Sequence, residues 1–259
     1  MRFWRPVMTL WWREIIRFVR QRSRLLGAFA QPLVFWMLLG GGMNASFRPA
    51  AGAGDTSYIE YFYPGVMVMV LLFTAIFATI STVEDRREGF LQGVLVAPVT
   101  RAQIVLGQAM GGTTLAVMQG TLFLAFAPFA GIRLGLEAIA AAIVVMSLIA
   151  FALTSLGLVI AWKMESTQGF HAVMNLILMP IWFLSGAVFP VSGVPSALGW
   201  IMRANPLTYG MAALRRSLYA GEAAAVSSLP GLLPALAVTA FFAVASFLAA
   251  TAVARRAAA

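Results

Sequence analysis

The sequence predicts an all-α integral membrane protein. Six transmembrane helices follow an N-terminal amphipathic helix at the membrane interface, and two short helices on the outer side precede the last span. Three observations predict this. Hydrophobic residues make up 61% of the chain and charged residues only 10%, whereas a soluble domain carries about 25% charged residues. Apolar runs of membrane length recur along all 259 residues. The net charge of +9 is concentrated at the ends of those runs, which points to lipid head groups rather than nucleic acid.

The N-terminal region, 1–24, holds seven arginines before the first long apolar core, so it does not read as a signal peptide. At about 100° per residue, Arg13, Arg17, Arg20 and Arg24 form one line. Trp4, Val7, Trp11, Ile15 and Phe18 lie opposite them. A cationic stripe backed by an aromatic and aliphatic face describes a helix lying in the interface, its arginines toward anionic head groups. Pro6 suits a first helical turn, where its missing N–H costs nothing.

The spans follow at 25–43, 61–83, 104–130, 136–162, 171–189 and 232–254. The third is longer than a bilayer core and carries Gly107-x-x-x-Gly111, which lets helices approach closely, by default within one subunit. The fifth is interrupted by Pro180. The outer segment 191–230 has no uninterrupted span, and its two short helices, 197–203 and 207–219, are separated by Asn205-Pro206. Thirteen of the 18 lysines and arginines fall on the side of the two termini, which the positive-inside rule makes cytoplasmic. Arg203, Arg215 and Arg216 run against that bias, in the longest outer segment.

Several kinds of chemistry are excluded. The chain has no cysteine, and its one lysine, Lys163, is not in a Walker A setting, so that motif cannot bind ATP here. His171 and Ser185 lie on one predicted span about 21 Å apart along a helix axis, so they form no dyad. No ionisable residue falls mid-span, which disfavours a proton-driven transporter. The densest mixed-charge run, 84–101, lies between two spans on the cytoplasmic side. Its lead, Glu84, Asp85, Arg86, Arg87 and Glu88, is entirely ionisable and is placed to pair with a basic or mixed surface. Helical geometry would then set Phe90, Leu91, Val94 and Leu95 on one apolar side. A docking element for a soluble motor and a wet interfacial loop both fit this pattern.

In this run, Glu88-Gly89 and Pro98-Val99-Thr100-Arg101 resemble the signature of ABC exporter permeases of the second type, with departures at Phe90, Gln92 and Gly93. Phe183-Leu184-Ser185-Gly186, Phe189-Pro190 and Pro195 are similar to that family's end of the fifth span. Asn205-Pro206-Leu207-Thr208-Tyr209 with Ala213-Leu214-Arg215-Arg216 is similar to its segment before the last span. The matches come in order and cover essentially the whole chain.

The resemblance implies a non-enzymatic permease subunit of a bacterial inner-membrane exporter for drugs, lipids or polysaccharides. Two copies, most simply a homodimer, would form the pathway. A separate ATP-binding cassette subunit would use ATP and Mg, with no cofactor or metal held by this chain and no nucleic acid bound. The coupling segment would run from Glu84 to Arg101 and include Gly89 and Pro98. Phe35, Trp36, Met67, Met179 and Trp182 would line the cargo path. Segment 191–230 would form short re-entrant helices on the outer side, where Asn205, Pro206, Tyr209, Arg215 and Arg216 would form the outer gate, the two arginines in a wet vestibule. The alternative is an ATP-independent channel or membrane scaffold subunit.

Overall fold

The computed structural model describes residues 3–43, 57–191, 194–220 and 226–256, and all their regular structure is helical. Helix α1 (Trp4–Arg20) ends where Gln21 leaves helical geometry, and α2 (Arg22–Met43) follows at once. Most of the expected outer loop, with Arg48, lies outside the described residues.

Helix α3 (Tyr58–Arg87) starts on Ser57, whose hydroxyl accepts from the Glu60 amide. It runs through the expected span end at 83 and makes 84–87 its last turn. No glycine or proline interrupts that stretch, and Arg86 and Arg87 suit the negative end of the helix dipole. Gly89, at φ 77°, breaks the chain into the short α4 (Phe90–Val96). An extended step through Ala97 and Thr100 leads to α5 (Arg101–Leu124). A reciprocal box between Thr100 and Gln103 caps α5.

Helix α5 ends before 130, because the chain tightens into a 3₁₀ turn (Ala127–Ala130) that contains Pro128. Helices α6 (Leu136–Ala161) and α7 (Thr167–Trp182) follow. A π turn (Phe183–Ala187) with Gly186 at φ 82° ends α7. The short helices α8 (Ser196–Ala204) and α9 (Pro206–Leu218) precede α10 (Leu232–Arg256).

Helix α3 is the axis of the bundle. Its residues from Phe62 to Leu72 are all buried, packed against α2, α5, α6, α7 and α9. Among the described residues, four helices are long and apolar enough to cross a membrane: α3, α6, α7 with its π turn, and α10. Helix α2 adds a shorter apolar stretch, Ala30–Met43, among the described residues. Helix α5 is diluted by Gln103, Gln108 and Gln119, all buried.

Candidate functional site

Helix α1 does not lie free at the interface. Phe3 at its start accepts a hydrogen bond from Gln103 through its carbonyl, at 2.9 Å, and Phe18 near its end packs with Leu115. Between them α1 lies against the Gly107–Gly111 seam of α5. A Cβ on Gly107 would stand 2.8 Å from Leu10 Cβ and 2.9 Å from the Val7 carbonyl oxygen; one on Gly111 would stand 2.6 Å from Glu14 Cβ. The small-residue pattern thus serves packing within one chain, with Trp11 Nε1 donating to Thr114 Oγ1 at 3.0 Å beside it.

Helix α1 accordingly has three faces. Val7, Leu10, Glu14 and Phe18 are buried. Trp4, Met8, Trp12 and Val19 are exposed. Arg13 and Arg17 turn toward α3 and α4. The expected apolar face was therefore a composite, with Val7 and Phe18 facing protein while Trp4 faces outward.

The expected cationic stripe is also redirected. Asp85 is 1% exposed. It receives both arms of Arg13, Nη1 to Oδ2 at 2.7 Å and Nη2 to Oδ1 at 2.6 Å, and a further bond from Arg17 Nη1. Arg17 Nη2 donates to Glu84 at 2.8 Å. The Arg13 guanidinium also lies 3.8 Å from the centroid of Phe90. Asp85 is therefore paired inside the chain with two cations from α1, and half-buried Glu84 shares one of them. Arg20 remains exposed, and the side chain of Arg24 lies outside the described residues.

Glu14, buried at 4% exposure, accepts from Ser81 Oγ at 2.7 Å and from Arg13 Nη1 at 3.2 Å. Burial pushes its carboxyl above the usual range and nearby Asp85 adds to this, against the lowering effects of the Ser81 bond, Arg13 and Arg17. Sequence reasoning passed over Glu14. The available signal was an acid placed within the 7-10-14-18 apolar stripe.

The rest of 84–101 divides into held and displayed residues. Arg86 donates to the Trp162 carbonyl at 2.5 Å and lies over its ring. Leu91, 3% exposed, is seated among Leu10, Ile104, Val105, Leu158 and Trp162, and Val94 packs beside them. Leu95 is helical, but its side chain lies outside the described residues. Arg87, Glu88, Phe90, Gln92, Gly93, Val96 and Pro98 are exposed, and Arg101 is half-buried. Phe90 therefore does not share the buried side with Leu91. An open groove of about 580 Å³ runs from Trp12, Ile16 and Arg20 to Glu88 beside this surface.

The expected path residues are mostly core. Met67 and Trp182 are fully buried, the latter donating to the Gly65 carbonyl at 2.8 Å. Trp36 is 7% exposed and donates to the Ile59 carbonyl. All three belong to the core cluster packed around α3. Phe35 and Met179 are half-buried.

The expected gate residues lie at the start of α9 and along it, Asn205 and Arg215 buried and Pro206, Tyr209 and Arg216 half-buried. Asn205 caps α9 through the Leu207 amide and donates to the Ile181 carbonyl at 2.6 Å, ahead of Pro206 in the first turn. Tyr209 donates to the Arg203 carbonyl. Arg215 is 6% exposed, which replaces the expected wet vestibule. It donates to the Gly186 carbonyl at 3.0 Å and lies 4.0 Å over the Tyr61 ring, while the Tyr61 hydroxyl donates to the same carbonyl. The π turn supplies the carbonyl that makes this burial tolerable. Arg216 is tied to the carbonyls of Val226, Leu229 and Pro230.

Among the described residues no group of three or more His, Asp or Glu is arranged to hold a metal ion.

A family model described as ABC-2 type transporter matches residues 5–219, which include α1, α4, the π turn and α9. The chain belongs to the ABC-2 type transporter family. This membrane permease is 28% identical over 207 residues to a putative transport permease ycf38 of Cyanophora paradoxa, covering 78% of this chain and 70% of that protein. It is 29% identical over 211 residues to Nodulation protein J of Rhizobium leguminosarum bv. trifolii, covering 80% and 79%. To Nodulation protein J of Rhizobium meliloti (strain 1021) it is 28% identical over 224 residues, covering 85% and 83%. The ABC-2 permease thus places its most polar apparatus where α1, the end of α3 and α4 meet.

Proposed function

We propose that this ABC-2 permease is the membrane-spanning subunit of an ATP-driven exporter. Two copies form the cargo path, and each docks α4 onto a separate ATP-binding subunit that binds ATP and Mg. Helices α2 and α5 complete a set of six spans with α3, α6, α7 and α10. Both termini and α4 then lie on the cytoplasmic side of a bacterial inner membrane.

One observation carries the docking assignment. Helix α4 is held firmly on one side by Leu91 and displays Gln92, Gly93, Val96 and Pro98 on the other. A helix that served only to keep a loop wet would need no such seat. The groove beside Glu88 widens the surface offered to a partner. On this reading nucleotide-driven closure of the ATP-binding subunits moves α4, and the interface between permease copies opens.

The test changes only exposed residues. Gln92→Glu with Val96→Arg leaves the seat of Leu91 untouched, so membrane insertion and thermal stability are retained. Co-purification with the ATP-binding subunit is lost. Tight co-purification of the double variant refutes the docking role of α4. Transport that persists after ATP depletion refutes the motor-driven reading.

A further inference from the structure

The open groove of about 580 Å³ is lined almost wholly by one strip of α1. Trp12, Ile16 and Arg20 recur there every four residues, and Gln21 closes the strip one residue before α2 begins. Glu88 lines the groove from the turn between α3 and α4. It is the one lining residue that comes from the segment around α4, so most of the groove is left for a ligand other than the ATP-binding subunit.

The polar groups of this groove are left open in a particular combination. Arg13 and Arg17 are taken up by Asp85 and Glu84. The Arg20 guanidinium is exposed and makes no ion pair or hydrogen bond among the described residues, and the same holds for the Glu88 carboxylate. Gln21 Oε1 is buried with no hydrogen-bond partner among the described residues. A buried acceptor in that state is costly until a donor reaches it. Beside these groups stand Ile16 and the ring of Trp12, which is 55% exposed. Tryptophan favours the depth of lipid head groups. Beyond the Gln21 end, α2 exposes Leu26, Val34 and Leu38, apolar surface suited to acyl chains.

The complementary ligand carries an anion, a cationic hydrogen-bond donor and an apolar body. A phosphate suits the guanidinium fork of Arg20. A primary ammonium has three N–H donors, enough to meet Glu88 and Gln21 together. A quaternary ammonium would balance Glu88 but has no N–H for Gln21. A head group with hydroxyls and no cation would set a second negative charge beside Glu88.

We infer that this groove binds the head group of an aminophospholipid of the phosphatidylethanolamine class, its phosphate on Arg20 and its ammonium on Glu88 and Gln21. This rests on the reading that α2 spans the membrane and that α1 lies at the leaflet facing the ATP-binding subunit.

The experiment uses the full permease co-purified with its ATP-binding subunit and stripped of lipid in detergent. The complex is offered an equimolar mixture of phosphatidylethanolamine, phosphatidylcholine and phosphatidylglycerol with identical acyl chains, and native mass spectrometry counts the lipids retained. Phosphatidylethanolamine is expected to be retained at least about tenfold over the other two, the effect of one hydrogen bond to a charged group. Arg20→Gln lowers retention of all three lipids. Glu88→Lys reverses the order in favour of phosphatidylglycerol. Arg133→Gln, an exposed arginine outside the groove, changes nothing. Equal retention of phosphatidylethanolamine and phosphatidylcholine by the unmutated complex overturns the inference whatever the variants do. So does a preference for phosphatidylglycerol, a preference that survives Arg20→Gln, or displacement of the lipid by soluble phosphoethanolamine at equal concentration. Retention of no lipid at all assigns the groove to a protein partner and overturns it too. An unmutated permease that retains phosphatidylethanolamine but not the ATP-binding subunit counts against the docking of α4 and leaves the lipid site standing.

Discussion

The seam between α1 and α5 allows one sharp prediction. A methyl group on Gly107 would stand 2.8 Å from Leu10 Cβ and 2.9 Å from the Val7 carbonyl oxygen. Carbon atoms prefer about 3.5–4.0 Å, so the two helices must part by several tenths of an ångström. The carbonyl belongs to the α1 backbone and cannot swing aside. Overpacking of this kind costs about 1–3 kcal/mol, a factor of roughly 5 to 150 in the docking equilibrium at about 1.4 kcal/mol per tenfold. Gly107→Leu exceeds this and displaces α1 outright. Gly93→Ala is the control: no atom lies within 4 Å of its added Cβ, and relief of glycine's entropy stabilises α4 by about 0.5–1 kcal/mol. The chain has no cysteine, so a Trp11→Cys, Thr114→Cys pair gives a clean cross-link across the seam with a short bis-maleimide. Cross-link yield falls in Gly107→Ala, disappears in Gly107→Leu and holds in Gly93→Ala. Wild-type yield in Gly107→Leu would mean that α1 does not dock on this seam.

Other consequences follow from single side chains. Leu91→Ala removes the seat of α4 at a cost of about 2–5 kcal/mol, so trypsin cuts faster after Arg87 and Arg101; an unchanged cleavage rate counts against the seat. Arg215→Lys keeps a buried charge but loses the planar face over Tyr61 and the guanidinium's geometry at Gly186. It is expected to lower thermal stability by about 1–3 kcal/mol, more than Arg215→Leu, which removes the buried charge altogether; equal melting temperatures for Lys and Arg defeat this. Glu14 has a carboxyl raised by burial, so the docked state of α1 binds more protons than the undocked one. Docking therefore strengthens as pH falls through the raised value toward the ordinary one near ~4.3. Glu14→Gln removes that dependence in the same cross-linking assay, and an unaltered pH profile contradicts it.

Periodicity and length made the helices legible. The apolar runs, Pro6, the Asn205-Pro206 cap and the break near Gly186 are all local signals, and the helices start and stop close to them. Helix ends were misread where a local rule competed with a distant contact. The run from Glu84 to Glu88 reads as lying beyond the end of the preceding span, because charge does not belong in hydrocarbon. Yet nothing in it breaks a helix, and the cations that neutralise it lie some 70 residues earlier, as with Arg13 and Asp85 at a separation of 72. The full burial of Met67 depends on α3 being central, which no pattern within α3 itself reveals.

The same limit shaped the reading of α1. A helical projection shows which side chains share a face, and it correctly opposed Arg13 and Arg17 to Val7 and Phe18. It cannot say whether a face meets lipid or protein, since both favour the same residues. Two marks in the sequence break that tie. Glu14 sits within the 7-10-14-18 stripe, and a carboxylate there is tolerable only with a partner such as Ser81 and Arg13. Gly107 and Gly111 offer a groove with no apolar side chains of their own to fill it, so another helix must come close. An acid on an apolar stripe and a small-residue groove downstream are complementary requirements, and α1 docked on α5 satisfies both at once. This is why the ion pairs at Asp85 are buried rather than wet, and why the most charged stretch of the chain divides into a half that holds α1 and a half that stays exposed.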